Sequence, residues 1–282
     1  MATLIDTMPA LKLSFRFLIA WMLMGVVLLA VGSRLPADTD TFGQKNQSEA
    51  ALMGILYDLK QSQDRQPTNV DANGYWKVLD EFFSKGWDET ILNKYYRVSR
   101  PLYTTQIFIP QISANEAPKA FNAEATVKPS RWIIHYKGQV SPPEDGTYRF
   151  VGSSDDFIAV AVNGKTELIA PLRQLSPASF PLTNWKSSDG FGLQAADGQF
   201  VNGDWVAMKA GEPIDLDVII GERPGGVFNA FLMVEKQGGS YEMRGPHPIL
   251  PIFQVAAFDT PTGDAKVQPE FLKDSPPWKS YQ

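Results

Sequence analysis

The stretch from Trp132 to Lys165 decides the fold. It reads WIIHYKG at 132–138, PPEDG at 142–146, TYRFV at 147–151, SDD at 154–156, FIAVAV at 157–162 and NGK at 163–165. Short apolar runs rich in β-branched and aromatic residues alternate with turn chemistry, which is the pattern of consecutive strands. Asn163-Gly164 is a strong hairpin signal, because both residues tolerate the positive φ of a tight type I′ turn. It predicts a return strand over Lys165–Ile169. Outward from there, Thr104–Ile112 (TTQIFIPQI) reads as a strand, with Pro110 placing its end at a sheet edge or bulge. Ile214–Ile220 (IDLDVII) alternates, with Ile214, Leu216 and Val218 inward and Asp215 and Asp217 outward. Val227–Glu235 and Ile249–Phe258 supply two more strands. Pro171–Ala207 is polar and rich in Gly, Ser and Asp, and predicts irregular loops with one or two short strands. Strands at regular intervals with turns between them predict a mainly β protein, an antiparallel sandwich or jelly-roll.

Upstream the period changes. Ser48–Asp64 (SEAALMGILYDLKQSQD) carries Leu52, Ile55, Leu56 and Leu59 at helical spacing, with Ser48 as a fair N-cap. Tyr75–Lys85 predicts a second helix with Trp76, Leu79, Phe82 and Phe83 on one side, stopped by Gly86. Asp88 caps a short third helix through Tyr96. These amphipathic elements should pack on the domain that follows, the alternative being a surface for a partner protein.

At the amino terminus, Phe17–Ser33 (FLIAWMLMGVVLLAVGS) runs 17 residues without a charge, between Lys12 and Arg16 on one side and Arg34 on the other. A helix of that length spans about 25 Å at ~1.5 Å per residue, slightly short of a ~30 Å hydrocarbon core. Arg16 and Arg34 can snorkel to the interface. A cleaved signal peptide would have a shorter apolar run, although Ala30-Val31-Gly32 offers small residues for a cut. The favoured expectation is an uncleaved, single-pass signal anchor with Phe17, Trp21, Gly25, Leu29 and Ser33 in the membrane. That puts the amino terminus in the cytoplasm, the anchor in the inner membrane, and the rest in the periplasm or outside the cell. The expected organisation is an anchor at 1–35, a linker at 36–47, a helical region at 48–100, the sandwich at 101–258 and a polar, proline-rich and loosely ordered tail at 259–282.

Composition narrows the chemistry. The chain of 282 residues contains no cysteine, which excludes disulfides, thiolate zinc sites, cysteine nucleophiles and iron–sulfur clusters. Two histidines, His135 and His247, exclude any site built on three histidine ligands. The net charge of −5 divides into +2 over residues 1–34 and −7 over the remaining 248, so the exported part is acidic and no nucleic-acid partner is expected. Glu144 and Asp145 lie in a Pro-Gly turn and read as a solvated pair rather than an acid–base couple. His135 lies mid-strand without an identifiable catalytic partner. Gly221–Gly226 (GERPGG) lacks the Lys-Ser/Thr and the following helix of a phosphate loop. No serine triad signature is present, and no enzyme is expected.

The 132–165 stretch resembles the protective-antigen-type domain, PA14. That family has a strand ending in Gly, then "P-x-x-G-x-Y-x-F", matched by Pro142–Phe150. Its "S-D-D-G" is matched by Ser154-Asp155-Asp156, with Phe157 in place of the Gly. Its "hydrophobic-x-hydrophobic-D/N-G-K" is matched by Val160–Lys165. Met208–Ile214 (MKAGEPI) resembles its "L-x-A-G-x-x-Y/I", and Phe228–Val234 stands where its last core strand runs. The resemblance implies a PA14-like β-sandwich used as a binding module, in several members for carbohydrates and in some with calcium. It also implies that Asp155 and Asp156, joined by a cis peptide, hold Ca²⁺ where the ion is present. Adjacent carboxylates suit an ion that takes six to eight oxygens. Asn202, Asp204 and Asn229 are candidates by composition for the remaining ligands. The alternative is that Asp155-Asp156 only caps a turn. Trp185 and Trp205 could stack on sugar rings or anchor loops to the core.

Together these readings predict a membrane-anchored, extracytoplasmic, non-catalytic binding module for a glycan or a protein, with Ca²⁺ as its candidate cofactor. The alternatives are a single-pass structural subunit of a larger complex of membrane or periplasmic proteins, or an accessory module of a glycan-degrading system.

Overall fold

The computed structural model describes residues 41–47, 50–171, 182, 185–189, 191–195, 198–257, 268–272 and 274–281. The anchor residues Phe17, Trp21, Gly25, Leu29 and Ser33 lie outside the described residues, within which no helix is long and apolar enough to cross a membrane.

Among the described residues the first element is strand β1 (Leu52–Ser62), followed by helices α1 (Ala72–Ser84) and α2 (Glu89–Leu92). Strands β2 (Tyr95–Arg97), β3 (Leu102–Thr104) and β4 (Phe108–Ser113) lead to the short helix α3 (Glu116–Ala120). The central strands are β5 (Trp132–Ser141), β6 (Gly146–Asp155), β7 (Phe157–Val162) and β8 (Lys165–Pro171). Then come β9 (Phe191–Ala195), β10 (Gly198–Asn202), β11 (Val206–Met208), β12 (Ile214–Glu222) and β13 (Val227–Lys236). A two-residue pair, β14 (Met243–Arg244) and β15 (His247–Pro248), and the terminal β16 (Lys279–Tyr281) complete the order. The first sheet runs β2-β1-β5-β12-β7-β8, with β3 and β16 pairing on β1 and β5. The second runs β4-β13-β6-β10-β9, with β11 pairing on β6. All pairings between these strands are antiparallel, so the expected sandwich is present.

Inward-facing residues of the two sheets meet in one core, with Trp132, Ile134, Tyr136, Val160 and Val218 from the first and Phe150, Phe228 and Leu232 from the second. The opposite face of the first sheet is also covered. There α1 lays Tyr75, Trp76, Leu79, Phe82 and Phe83 against Tyr57, Ile133, Phe157 and Ile219. Its start is fixed by Asp71, whose Oδ1 accepts from the N–H groups of Asn73 (3.0 Å) and Gly74 (2.7 Å). The helix comes so close to the sheet that a Cβ on Gly221 would collide with Tyr75 and Phe157. His135 is buried beneath this layer, packed on Phe82 and Trp87, with its Nε2 2.7 Å from Asp217 Oδ1.

Four expectations are corrected. The helix expected at Ser48–Asp64 is replaced by a strand: Leu52–Ser62 is β1, inserted between β2 and β5. Both faces of this strand are buried, one by the sandwich core and the other by the helices, so LMGILYDL shows no alternation that would mark it as a strand. Gly54 lies against the Tyr136 ring, where a side chain would not fit. Second, the strand expected at Ile249–Phe258 is not formed over its described residues, 249–257. These residues are an irregular segment joined by isolated bridges, Met233–Ile252 and Gln106–Gln254, and they cover Phe108, Phe231 and Met233 on the outer face of the second sheet. Third, the end of the tail is ordered. Trp278 is buried against Tyr148, Phe150 and Phe253, and Lys279–Tyr281 pairs with β5. Fourth, the third helix stops at Leu92, and Tyr95–Arg97 is a strand beside β1.

The helical layer is therefore part of the domain core. Trp76→Ala is expected to cost about 3–5 kcal/mol in urea denaturation, whereas the exposed Lys77→Ala should stay within ~0.5 kcal/mol. Equal effects of the two would show that α1 does not contribute to the fold.

Candidate metal centre

Two chain crossovers between the sheets lie side by side. At the first, β6 ends in the second sheet at Asp155, paired with Asn229, and β7 begins in the first sheet at Phe157, paired with Gly221. The Asp155–Asp156 peptide between them is cis, and the Asp156 N–H donates to Gly221 O at 3.2 Å. At the second, β12 ends in the first sheet at Glu222 and β13 begins in the second at Val227. The turn needs Gly225 and Gly226, at φ +92° and +122°. Gly225 also packs on the Pro129 carbonyl, where a Cβ would sit 2.8 Å from the oxygen.

This juxtaposition gathers three carboxylates. One oxygen each from Asp155, Asp156 and Glu222 lies within 4.8 Å of the other two. Ligand oxygens at about 2.3–2.6 Å from a calcium ion are separated by at most about 5 Å, so the spacing suits a single ion. The all-oxygen donor set suits a hard cation. Part of the set is fixed by backbone donors: Arg223 N–H to Asp156 Oδ2 at 2.6 Å, and Gly225 N–H to Glu222 Oε1 at 2.6 Å. Glu222 Oε2 has no hydrogen-bond partner among the described residues, although Glu222 is only 1% exposed. A buried carboxylate oxygen left bare is costly unless the group holds a proton or faces a cation.

The electrostatics show the same demand. Burial, reinforced by the neighbouring Asp156, pushes the Glu222 carboxyl up to about 9. Burial also raises Asp156, against the lowering effect of the Arg223 N–H and guanidinium. Tyr75 covers the site from α1, donating to Trp132 O at 3.3 Å, and its hydroxyl is raised by burial and then by Asp156 and Glu222. The Arg223 guanidinium lies 5.4 Å from the centre of the Trp76 ring.

Of the residues singled out in the sequence, Asp155 and Asp156 meet here, and Asn229 lies buried opposite Asp155 on β13. Asn202 and Asp204 are not brought to the cluster. Asn202 pairs with Val151, ~13 Å back along β6 from Asp155. The Asp204 N–H bonds Glu167 O at 2.8 Å, and its Oδ2 accepts from Trp185 Nε1 at 2.8 Å. The physical reason is that the chain after Asn202 returns along β6 toward its start, where β11 pairs with Gly146–Tyr148. Trp185 is half-buried and anchored to Asp204, and Trp205 lies beneath the Arg149 guanidinium at 4.4 Å. Neither tryptophan joins the acidic cluster. Glu222 and Arg223 are the residues that sequence reasoning missed. Their only local signal is a charged pair immediately before a Pro-Gly-Gly turn.

A pH dependence follows from Glu222. Its folded-state value of about 9 exceeds the ~4.3 of an unfolded glutamate, so the folded chain holds a proton that the unfolded chain lacks between those limits. Stability without a cation is therefore expected to fall as pH rises from about 5 to about 9, and Glu222→Gln should flatten that slope. Thermal melts in EDTA across this range test it, and parallel slopes for the two proteins would refute it.

No family model matches the chain, and no curated protein matches it. Among solved structures it is similar to a PA14 sugar-binding domain from an RTX adhesin, at 16% identity and a TM-score of 0.43, over 73% of this chain and 96% of that one. It is similar to the PA14 domain of an antifreeze protein, at 14% identity and a TM-score of 0.42, over 76% and 93%. It is also similar to the A domain of epithelial adhesin 6 from Candida glabrata, solved with Galβ1-3GlcNAc, at 13% identity and a TM-score of 0.39, over 74% and 88%.

Proposed function

We propose that this chain is a non-catalytic, calcium-dependent glycan-binding module carried outside the cytoplasm by the single-pass anchor at Phe17–Ser33. The observation that supports it most is the meeting of Asp155, Asp156 and Glu222 at the crossovers, where Glu222 is buried and its Oε2 has no hydrogen-bond partner among the described residues. These three residues would hold the ion. A bound calcium supplies open coordination positions for oxygen ligands, and vicinal sugar hydroxyls fit such positions. Charge bears on the ligand class: three carboxylates are balanced by a divalent ion and the nearby Arg223. A site of no net charge favours a neutral polyol over an acidic one.

The reading as a structural subunit draws less support. Such a subunit needs an apolar docking face. The apolar side of α1 is buried on the first sheet, and the large hydrophobic residues exposed among the described residues are the scattered Val227, Met243 and Leu272.

Calcium at ~100 times its dissociation constant should stabilise the folded chain by about 2.7 kcal/mol, or roughly 5–10 °C in Tm. Asp156→Asn and Glu222→Gln should each remove the shift. An unchanged melting curve on adding calcium to EDTA-treated protein would refute the metal site. A glycan array probed with and without EDTA tests the ligand, and binding indifferent to EDTA would refute calcium dependence. Alkaline carbonate extraction tests the anchor, which predicts that the chain stays in the membrane pellet.

A further inference from the structure

A cavity lies away from the acidic crossovers, on the outer face of the second sheet. It measures about 250 Å³ and is lined by β6, β10 and β13 and by the segment around His247. Arg149, on its wall, is six residues from Asp155 along β6, or ~20 Å at strand rise. The floor is apolar: Val151, Phe200, Met233 and Leu250. The rim is acidic, with Asp189, Glu235 and Glu270.

The carboxylates are held in place yet not used up. Arg149 is clamped by Asp189 and by Glu235, whose Oε2 accepts from Nε at 2.7 Å and lies 2.6 Å from Nη2. The Trp205 ring lies 4.4 Å from the guanidinium carbon and fixes its plane. In parallel, Arg244 holds Glu270 through its Oε2, at 2.9 Å from Nε and 2.6 Å from Nη2. Both glutamates thus give one oxygen to an arginine and leave Oε1 without a hydrogen bond among the described residues. Three carboxylates against two guanidinium groups leave the rim with one excess negative charge. An anionic ligand would have to break the Arg149 clamp. A ligand rich in donors, with a short apolar body, meets both the free oxygens and the floor.

We propose that this cavity binds a primary alkylammonium group, with its nitrogen donating to Glu235 Oε1 and Glu270 Oε1 and its carbon stem lying on Phe200 and Met233. A cavity below ~300 Å³ limits the ligand to a short chain. A free diamine and the side chain of a lysine share this chemistry.

The test is calorimetry or saturation-transfer NMR on the full chain in EDTA, so that failure at the calcium site does not affect the outcome. The probes are n-butylamine, 1,4-diaminobutane, Nα-acetyl-lysine amide, n-butanol and glucose. The amines should bind, and more weakly as salt rises. Glu270→Gln, on the exposed rim, should weaken them about tenfold, as expected for loss of a charged hydrogen bond. Glu235→Gln should do the same, with its melting curve checking the fold. Preference for 1,4-diaminobutane over the lysine derivative identifies a free amine as the ligand, and the reverse identifies a peptide lysine. The proposal is overturned if n-butanol or glucose binds as well as n-butylamine, if no amine binds, or if Glu270→Gln leaves amine binding unchanged.

Discussion

The structure depends on where two strands change sheets. A sandwich must pass its chain from one layer to the other, and this one does so twice at the same place, through Asp155-Asp156 and through Glu222–Gly226. Crossovers free backbone groups from the sheet ladders, and polar residues beside them supply partners. Here the Asp156 and Glu222 carboxylates accept from the N–H groups of Arg223 and Gly225. The same packing that orders the turns removes these carboxylates from water. The acidic cluster is thus a consequence of the architecture as well as a place for a cation.

Coverage of both faces of the first sheet strengthens this effect. A sandwich with a solvated outer face would leave the crossover half open. The aromatic face of α1 instead lies over Phe157 and Gly221, bringing Tyr75 and Trp76 next to the carboxylates. Desolvation raises the Glu222 carboxyl more than its Gly225 bond lowers it. A helix contributed by the amino-terminal third of the chain therefore covers a site made by its middle.

Much of the sandwich was legible in order. The hairpin at Asn163-Gly164, the strands on either side of it, the edge position of the Pro110 strand and the aromatic face of the helix expected at Tyr75–Lys85 all follow from local rules; the start of that helix at Ala72, capped by Asp71, was not read. β1 was not, because Leu52, Ile55, Leu56 and Leu59 satisfy a helical period while also belonging to a strand buried on both sides. Nor was the ordered carboxyl terminus, because Trp278 finds its place only against Tyr148, Phe150 and Phe253, residues far away in sequence. The acidic pair at 155–156 announces itself by adjacency, but Glu222 lies 66 residues later on another strand.

The sequence by itself determined the strand-and-turn rhythm, the hairpin, the aromatic helix and the paired aspartates. Each rests on backbone preferences or hydrogen bonds among neighbours within a few residues. Tertiary structure alone decided that β1 is a strand, that the tail closes on β5, that Glu222 rather than Asn202 or Asp204 joins the aspartates, and that Arg149 stacks on Trp205. Those outcomes depend on which surfaces meet when the sheets and the helix pack, and burial between distant segments leaves no periodic trace in the chain.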